Sequence, residues 1–310
     1  MGLSILLLVT AMPVLPLSVV MILIMTMLFL LQPLVNSLCF LMEHAGIHIN
    51  FGFCRGIGSI TYAVASVAVG RAVAIYHEPV LPLIYVLFFA GFVIVFLSLR
   101  KVPTSRSSQD DPQGNTDQAM SLLQFVKTYK RFIVFLIGST LIFFMLYLTG
   151  NFFCIQIVTA IGGGTTEMGI SMALAAAVEL PVMACLNKLN KRIPLYRLLR
   201  ISVIFFMLKL LFIVLARSIP MFYVAQLFQM GSYAIFYPGA TIYINRLLPP
   251  ADLVKGQSLL TTMFTLSGIL ASLIGGLLLN ITTAANMLFI SFLIALAGAF
   301  ITWFSIEKVN

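Results

Sequence analysis

Charge is what this sequence lacks. Only 9% of its 310 residues are Asp, Glu, Lys or Arg, where a soluble domain carries about 25%. A soluble chain so poor in charge has too little polar surface to cover itself, which excludes a soluble enzyme or a nucleic-acid binder. Cysteine is scarce as well. Cys39, Cys54, Cys154 and Cys185 are scattered through mostly apolar runs. They form no CxxC and no Cys/His cluster, so neither a disulfide framework nor a zinc site is expected. The three histidines, His44, His48 and His77, fall in apparent loops. No glycine-rich phosphate motif follows a strand-like segment, so no cofactor is expected. Paired acids, HExxH and Ser/His sets are missing from the apolar runs, which argues against an intramembrane enzyme. No Lys or Arg precedes the apolar start, so the basic region of a signal peptide is missing too.

What fills the sequence instead is apolar: 61% of the residues are hydrophobic. Runs of about 20 such residues recur, each long enough to cross roughly 30 Å of hydrocarbon. The expected fold is therefore all-α, a polytopic transmembrane helical bundle, whose principal partner is the lipid bilayer. About ten spans are read by run length. They fall near 1–17, 18–42, 55–76, 80–99, 132–158, 167–187, 196–216, 219–245, 256–280 and 284–305. The one long polar stretch, Arg100 to Lys130, contains SRSSQDDPQGNTDQ and reads as a flexible linker. The segment after it, MSLLQFVKTYKRF, reads as an interfacial amphipathic helix. Three parts are expected: an incomplete helical half over 1–99, a cytoplasmic linker over 100–131, and a six-helix half over 132–310.

Positive charge tests this layout. With the linker placed in the cytoplasm and sides alternating from there, every Lys and Arg falls on the cytoplasmic side except Arg71, Arg217 and Lys209. One miscounted span would invert that pattern. Both termini are expected in the cytoplasm, with four spans before the linker and six after. The formal net charge of +9 thus reads as positive-inside bias. A six-span block is a natural half of a transporter built from repeats.

Ionisable groups inside spans are costly and are functional candidates by default. Glu179, in SMALAAAVELPVMACL, is a candidate proton carrier; the alternative is a structural acid bonded to a neighbouring helix. Lys209, in VIFFMLKLLFIVLAR, either pairs with Glu179 or snorkels to an interface. Arg55 is a positive-inside anchor or a substrate-binding fork of donors. Gln226, Gln229, Tyr233 and Tyr237 recur at three- and four-residue steps, on one face of a continuous helix. Such amides and phenols suit a polar, ring-shaped solute, or hydrogen bonding between helices. Tyr147 and Asn151 form a weaker pair, and Asn36 is a further polar residue in a span. Gly268, Gly275 and Gly276 read as close-packing positions.

At these residues the chain resembles the major facilitator superfamily. Within it, the chain is similar to the branch of sugar, nucleoside and aromatic-acid proton symporters that includes lactose permease. The segment FGFCRGIGSITYAVASVAVG resembles that branch's F/Y-G-x-x-R-x-x-G-S turn through Phe51, Gly52, Arg55, Gly58 and Ser59. ELPVM, QMGSYAIFYPGATIYIN and VKGQSLLTTMFTLSGILASLIGG also resemble it. The resemblance implies a sugar-binding role for Arg55 and a ring-stacking role for Tyr62. It also places a ninth-helix basic residue at Lys209. Two departures stand out. Asn36 takes the place of the acid that pairs with the motif arginine. Gln226, Gln229 and Ser232 take the place of the proton-carrying group, and none of the three titrates near neutral pH. Proton coupling then falls to Glu179. The superfamily's loop between its second and third helices is absent, so the chain is expected to begin at the third helix of the twelve-helix plan.

The expected function is secondary active transport of a small polar organic solute, sugar- or nucleoside-like, by alternating access with proton coupling. The expected setting is a bacterial cytoplasmic membrane. Two alternatives remain: drug or metabolite efflux, and a non-transporting truncated membrane protein. A monomer is expected for a full-length chain, an oligomer or a partner for a truncated one.

Overall fold

A computed structural model describes residues 51–77, 79–98, 121–249 and 252–308, with isolated positions at 16, 19–20 and 23–24. Among the described residues all regular structure is helical. The α-helices are α1 Phe51–Tyr76, α2 Val80–Ser98, α3 Leu122–Thr128, α4 Lys130–Tyr147, α5 Cys154–Ala160 and α6 Thr165–Arg192. They continue as α7 Leu195–Leu215, α8 Ile219–Leu227, α9 Tyr233–Leu247, α10 Leu253–Ile281 and α11 Ala284–Ser305. Among the described residues, six helical stretches are long and apolar enough to cross a membrane. The chain is thus an all-α polytopic membrane protein. The first two expected spans lie almost wholly outside the described residues.

Two compact units divide the chain: Met1–Gly58 with Ala68–Asp111, and Ser59–Val67 with Pro112–Asn310. In the first unit, α2 buries none of its residues. Its rings at Tyr85, Phe89, Phe92 and Phe96 ladder along one face with centroids 6.2–6.3 Å apart. Spacing of three and four residues brings them into line. Such a surface belongs in hydrocarbon, where apolar side chains need no cover.

The second unit is built around α4. Its N-terminal approach is α3, the short helix expected from MSLLQFVKTYKRF. A reciprocal cap starts it: Gln124 N–H donates to Ser121 Oγ and Ser121 N–H to Gln124 Oε1, both at 3.3 Å. Phe125 then plugs fully into the core. The core is aromatic. Phe135 stacks on Phe236 at 5.7 Å, and Phe143 meets Phe206 at 5.3 Å and Phe264 at 4.8 Å. Helix association in lipid depends on packing of this kind rather than on water exclusion.

Small residues set the closest approach. A Cβ added to Gly138 of α4 would lie 2.8 Å from Gly298 O of α11, and one on Gly298 would lie 2.6 Å from Gly138 O. Both obstacles are backbone. Of the glycines expected to pack, Gly275 does, against Phe153 and Leu148. Gly268 and Gly276 do not; each faces open space. Their spacing put all three on α10, but only Gly275 meets a neighbouring side chain, so close packing holds at that position alone.

Two expected spans are broken. The span near 132–158 bends through a π-helical turn, Leu148–Phe152, before α5. The span near 219–245 divides into α8, a 3-10 turn at Phe228–Met230, and α9. Gly231 and Ser232 follow that turn, and both are poor helix formers. Ser232 leaves helical geometry, with φ −89° and ψ −94°. The break is held from outside, because the Phe205 ring occupies the space a side chain at Gly231 would need.

Candidate functional site

The break places Gln229 in a short turn rather than on a regular helix. Gln229 is buried. Its carbonyl oxygen accepts a hydrogen bond from Lys209 Nζ at 2.5 Å, and its amide nitrogen donates to Glu179 Oε1 at 2.6 Å. One neutral amide therefore joins a cation on α7 to an acid on α6. Lys209 is 5% exposed, so its charged end is buried with this amide as a partner. Charged hydrogen bonds of this type are stronger than neutral ones, about 1.5–3 kcal/mol each.

Each partner is placed by local sequence. Glu179 sits two residues before Pro181, which lies inside α6. Proline lacks an N–H, so the Ala177 carbonyl loses its regular helical donor and polar backbone opens one turn from the acid. Lys209 is buried on the face of α7 that also carries Ser202, Phe206 and Leu210. Gln229 owes its orientation to the turn, where Ser232 Oγ donates back to Gln229 O at 3.4 Å.

The surroundings add further groups. Tyr62 of α1, in the segment grouped with the second unit, donates from its hydroxyl to Met172 Sδ at 3.6 Å. Cys154 is buried, with its thiol beside the Ser171 hydroxyl. Tyr233 stacks on Tyr237 at 5.4 Å, and Tyr237 meets Phe264 at 5.3 Å. Phe143 joins this aromatic wall to Tyr147 at 6.2 Å. Hydroxyls of Tyr147, Tyr233 and Tyr237 give the wall a polar option at an apolar face.

Of the sequence candidates, the structure brings together Glu179, Lys209 and Gln229. Lys209 meets Glu179 through the amide rather than by direct contact. Tyr233 and Tyr237 share a stacked pair on α9. Gln226 is buried at the end of α8, on the far side of the break, so the expected stripe of four is split in two. Asn151 is exposed in the π-helical turn. Arg55 lies in the second turn of α1, and its side chain is outside the described residues. Asn36 is also outside them. Sequence reasoning missed Phe143 and Phe264 as parts of the wall. No local motif marks them, because their role arises from packing across helices.

VKGQ, one of the segments of resemblance, has a structural task. Gly256 lets the start of α10 close on Ile244 and Leu248. Gln257 donates to Asn245 Oδ1 at 3.0 Å and to Thr241 O at 3.2 Å. The pair fastens α10 to α9 below the aromatic wall.

Among the described residues no group of three or more His, Cys, Asp or Glu side chains is placed to hold a metal ion. Interrupted helices that present polar groups within an apolar bundle are how many transporters build a solute or ion site. A family model described as the MFS_1 like family matches residues 1–291. No curated protein matches the chain. With a match over nearly its whole length and six membrane-length helices among the described residues, the chain belongs to the MFS_1 like family and is a membrane transporter of the major facilitator superfamily.

Proposed function

We propose that this chain moves a small polar organic solute, sugar- or nucleoside-like, by alternating access coupled to protons. The observation that carries the proposal is the Lys209–Gln229–Glu179 group at a helix break. A carboxyl inside an apolar bundle is costly unless it works, and taking up a proton is the work a carboxyl does there. Protonation of Glu179 removes the negative end of the group. The bond from the Gln229 amide to Glu179 then loses its charge assistance, and the turn at 228–232 is held more weakly. A solute hydroxyl can compete for the same amide. One site thereby senses proton and solute together, which is what coupling requires.

The stacked tyrosines support a ring-shaped solute. A sugar or base offers an apolar face to Tyr233 and Tyr237 and hydroxyls to their phenols. The proposed setting is a bacterial cytoplasmic membrane with both termini in the cytoplasm. Positive charge on the linker and in the last turns of α6 (Lys191, Arg192) and α9 (Arg246) favours that orientation.

The test is uptake into liposomes by the purified protein. Labelled sugars and nucleosides enter faster under an inward proton gradient if the proposal holds. Uptake indifferent to the gradient removes proton coupling. Competition by apolar dyes but not by sugars or nucleosides favours an efflux role instead.

A further inference from the structure

Away from the polar group, α4 and α11 carry a second feature. They run antiparallel: Arg131 lies near Glu307 and Gly138 against Gly298. Toward the start of α4 and the end of α11, a surface groove of about 380 Å³ lies along the two helices. Val134, Phe300, Ile301 and Phe304 form its walls, and Lys130 and Arg131 stand at its mouth. Phe300 and Phe304 are 68% and 66% exposed, with rings 4.7 Å apart. Both belong to a helix long and apolar enough to cross a membrane.

We propose that this groove binds an anionic phospholipid. The acyl chain lies along Val134, Phe300 and Phe304, and the phosphodiester sits at Lys130 and Arg131. Three observations carry this. The groove lies where one span begins and another ends, which is the depth of lipid headgroups. Its lining is apolar, and Lys130 and Arg131, which border it, carry exposed positive charge beside it, a combination that matches a lipid of negative headgroup. Arg131 makes an exposed contact to Glu307 at 3.6 Å, a weak tie that a phosphodiester can replace with paired charged hydrogen bonds. Further positive charge stands at the same end of the unit. Arg200 lies over the Trp303 ring at 5.4 Å, and Lys308 over Tyr196 at 5.9 Å.

The experiment is native mass spectrometry of the full chain in detergent, supplied with equal amounts of phosphatidylglycerol and phosphatidylcholine of matched acyl chains. Wild type retains phosphatidylglycerol with about thirtyfold preference, the scale set by two basic side chains at a membrane surface. The Lys130→Gln, Arg131→Gln double variant loses most of that preference. Glu307→Gln increases it, because the competing carboxylate is gone. Equal retention of the two lipids by wild type overturns the proposal, as does an unchanged preference in the double variant. Glycerol phosphate, which has the headgroup chemistry but no chains, leaves bound lipid in place; displacement by it would show a simple phosphate site. Because both substituted residues are at the mouth, unchanged circular dichroism is expected. Should the double variant misfold, the Glu307→Gln arm still decides.

Discussion

Replacing both charges of the Glu179–Gln229–Lys209 group gives a number that the geometry fixes in advance. The two hydrogen bonds are 2.5 and 2.6 Å long, and the amide between them spans about 2.2 Å from oxygen to nitrogen. The charges are thus at most about 7 Å apart. At an effective dielectric of about 20, that separation gives an attraction of about 2 kcal/mol. Lys209→Met, Glu179→Gln and their combination form a double-mutant cycle that isolates it. Unfolding in mixed micelles with rising dodecyl sulfate, followed by circular dichroism, supplies the three free-energy differences. The expected coupling is about 2 kcal/mol. Gln229→Leu is expected to cost about 3 kcal/mol or more, because it removes two charged hydrogen bonds and leaves a buried ammonium without its acceptor. A coupling below about 0.5 kcal/mol, the ordinary scatter of independent sites, would refute the bridged pair. A neutral Gln229→Leu would show that the amide does not carry it.

Other outcomes follow from close contacts. Gly138→Val and Gly298→Val meet backbone that cannot move aside, so each is expected to lower stability by about 1–3 kcal/mol in the same assay. Gly268→Ala, facing open space, is expected to be neutral or to stabilise by up to about 1 kcal/mol through helix propensity; a loss comparable to that of Gly138→Val would contradict the packing described. Gly231→Ala collides with the Phe205 ring and is expected to slow solute uptake, with Phe205→Leu restoring part of the rate. Absence of any rescue would mean that the ring does not hold the break. Tyr237→Phe keeps the stack on Tyr233 and removes a hydroxyl. It is expected to raise the KM for solute uptake severalfold and spare stability, whereas an unchanged KM excludes that hydroxyl from binding.

The membrane class and the helix sequence were legible because they rest on run length and charge, which no tertiary contact can alter. Apolar runs located α2, α7 and α11 to within a few residues. The breaks were less legible. Gly231 and Ser232 are weak helix formers, yet a Gly-Ser pair inside an apolar run is also tolerated in a continuous helix. What decides between the two is Phe205, a residue on another helix. The same holds for the charged group. Glu179 and Lys209 stood out as ionisable residues in apolar runs, and their pairing was one of two options. The intervening amide was not foreseeable, since Gln229 acquires its orientation only from the turn. Glycine spacing misled for a related reason. Gly268, Gly275 and Gly276 share one helix, but contact depends on which neighbour lies opposite, and Gly138 and Gly298, 160 residues apart in sequence, are the pair that meets.

The central claim is that Glu179 couples proton movement to solute movement. Glu179→Gln keeps the size and the hydrogen-bonding reach of the side chain and removes its titration. The most direct measurement compares two modes in one liposome preparation of this variant: accumulation under an inward proton gradient, and exchange of solute at equal concentration on both sides. The account predicts that accumulation is abolished while exchange persists near the wild-type rate. Accumulation at the wild-type level in Glu179→Gln would contradict it.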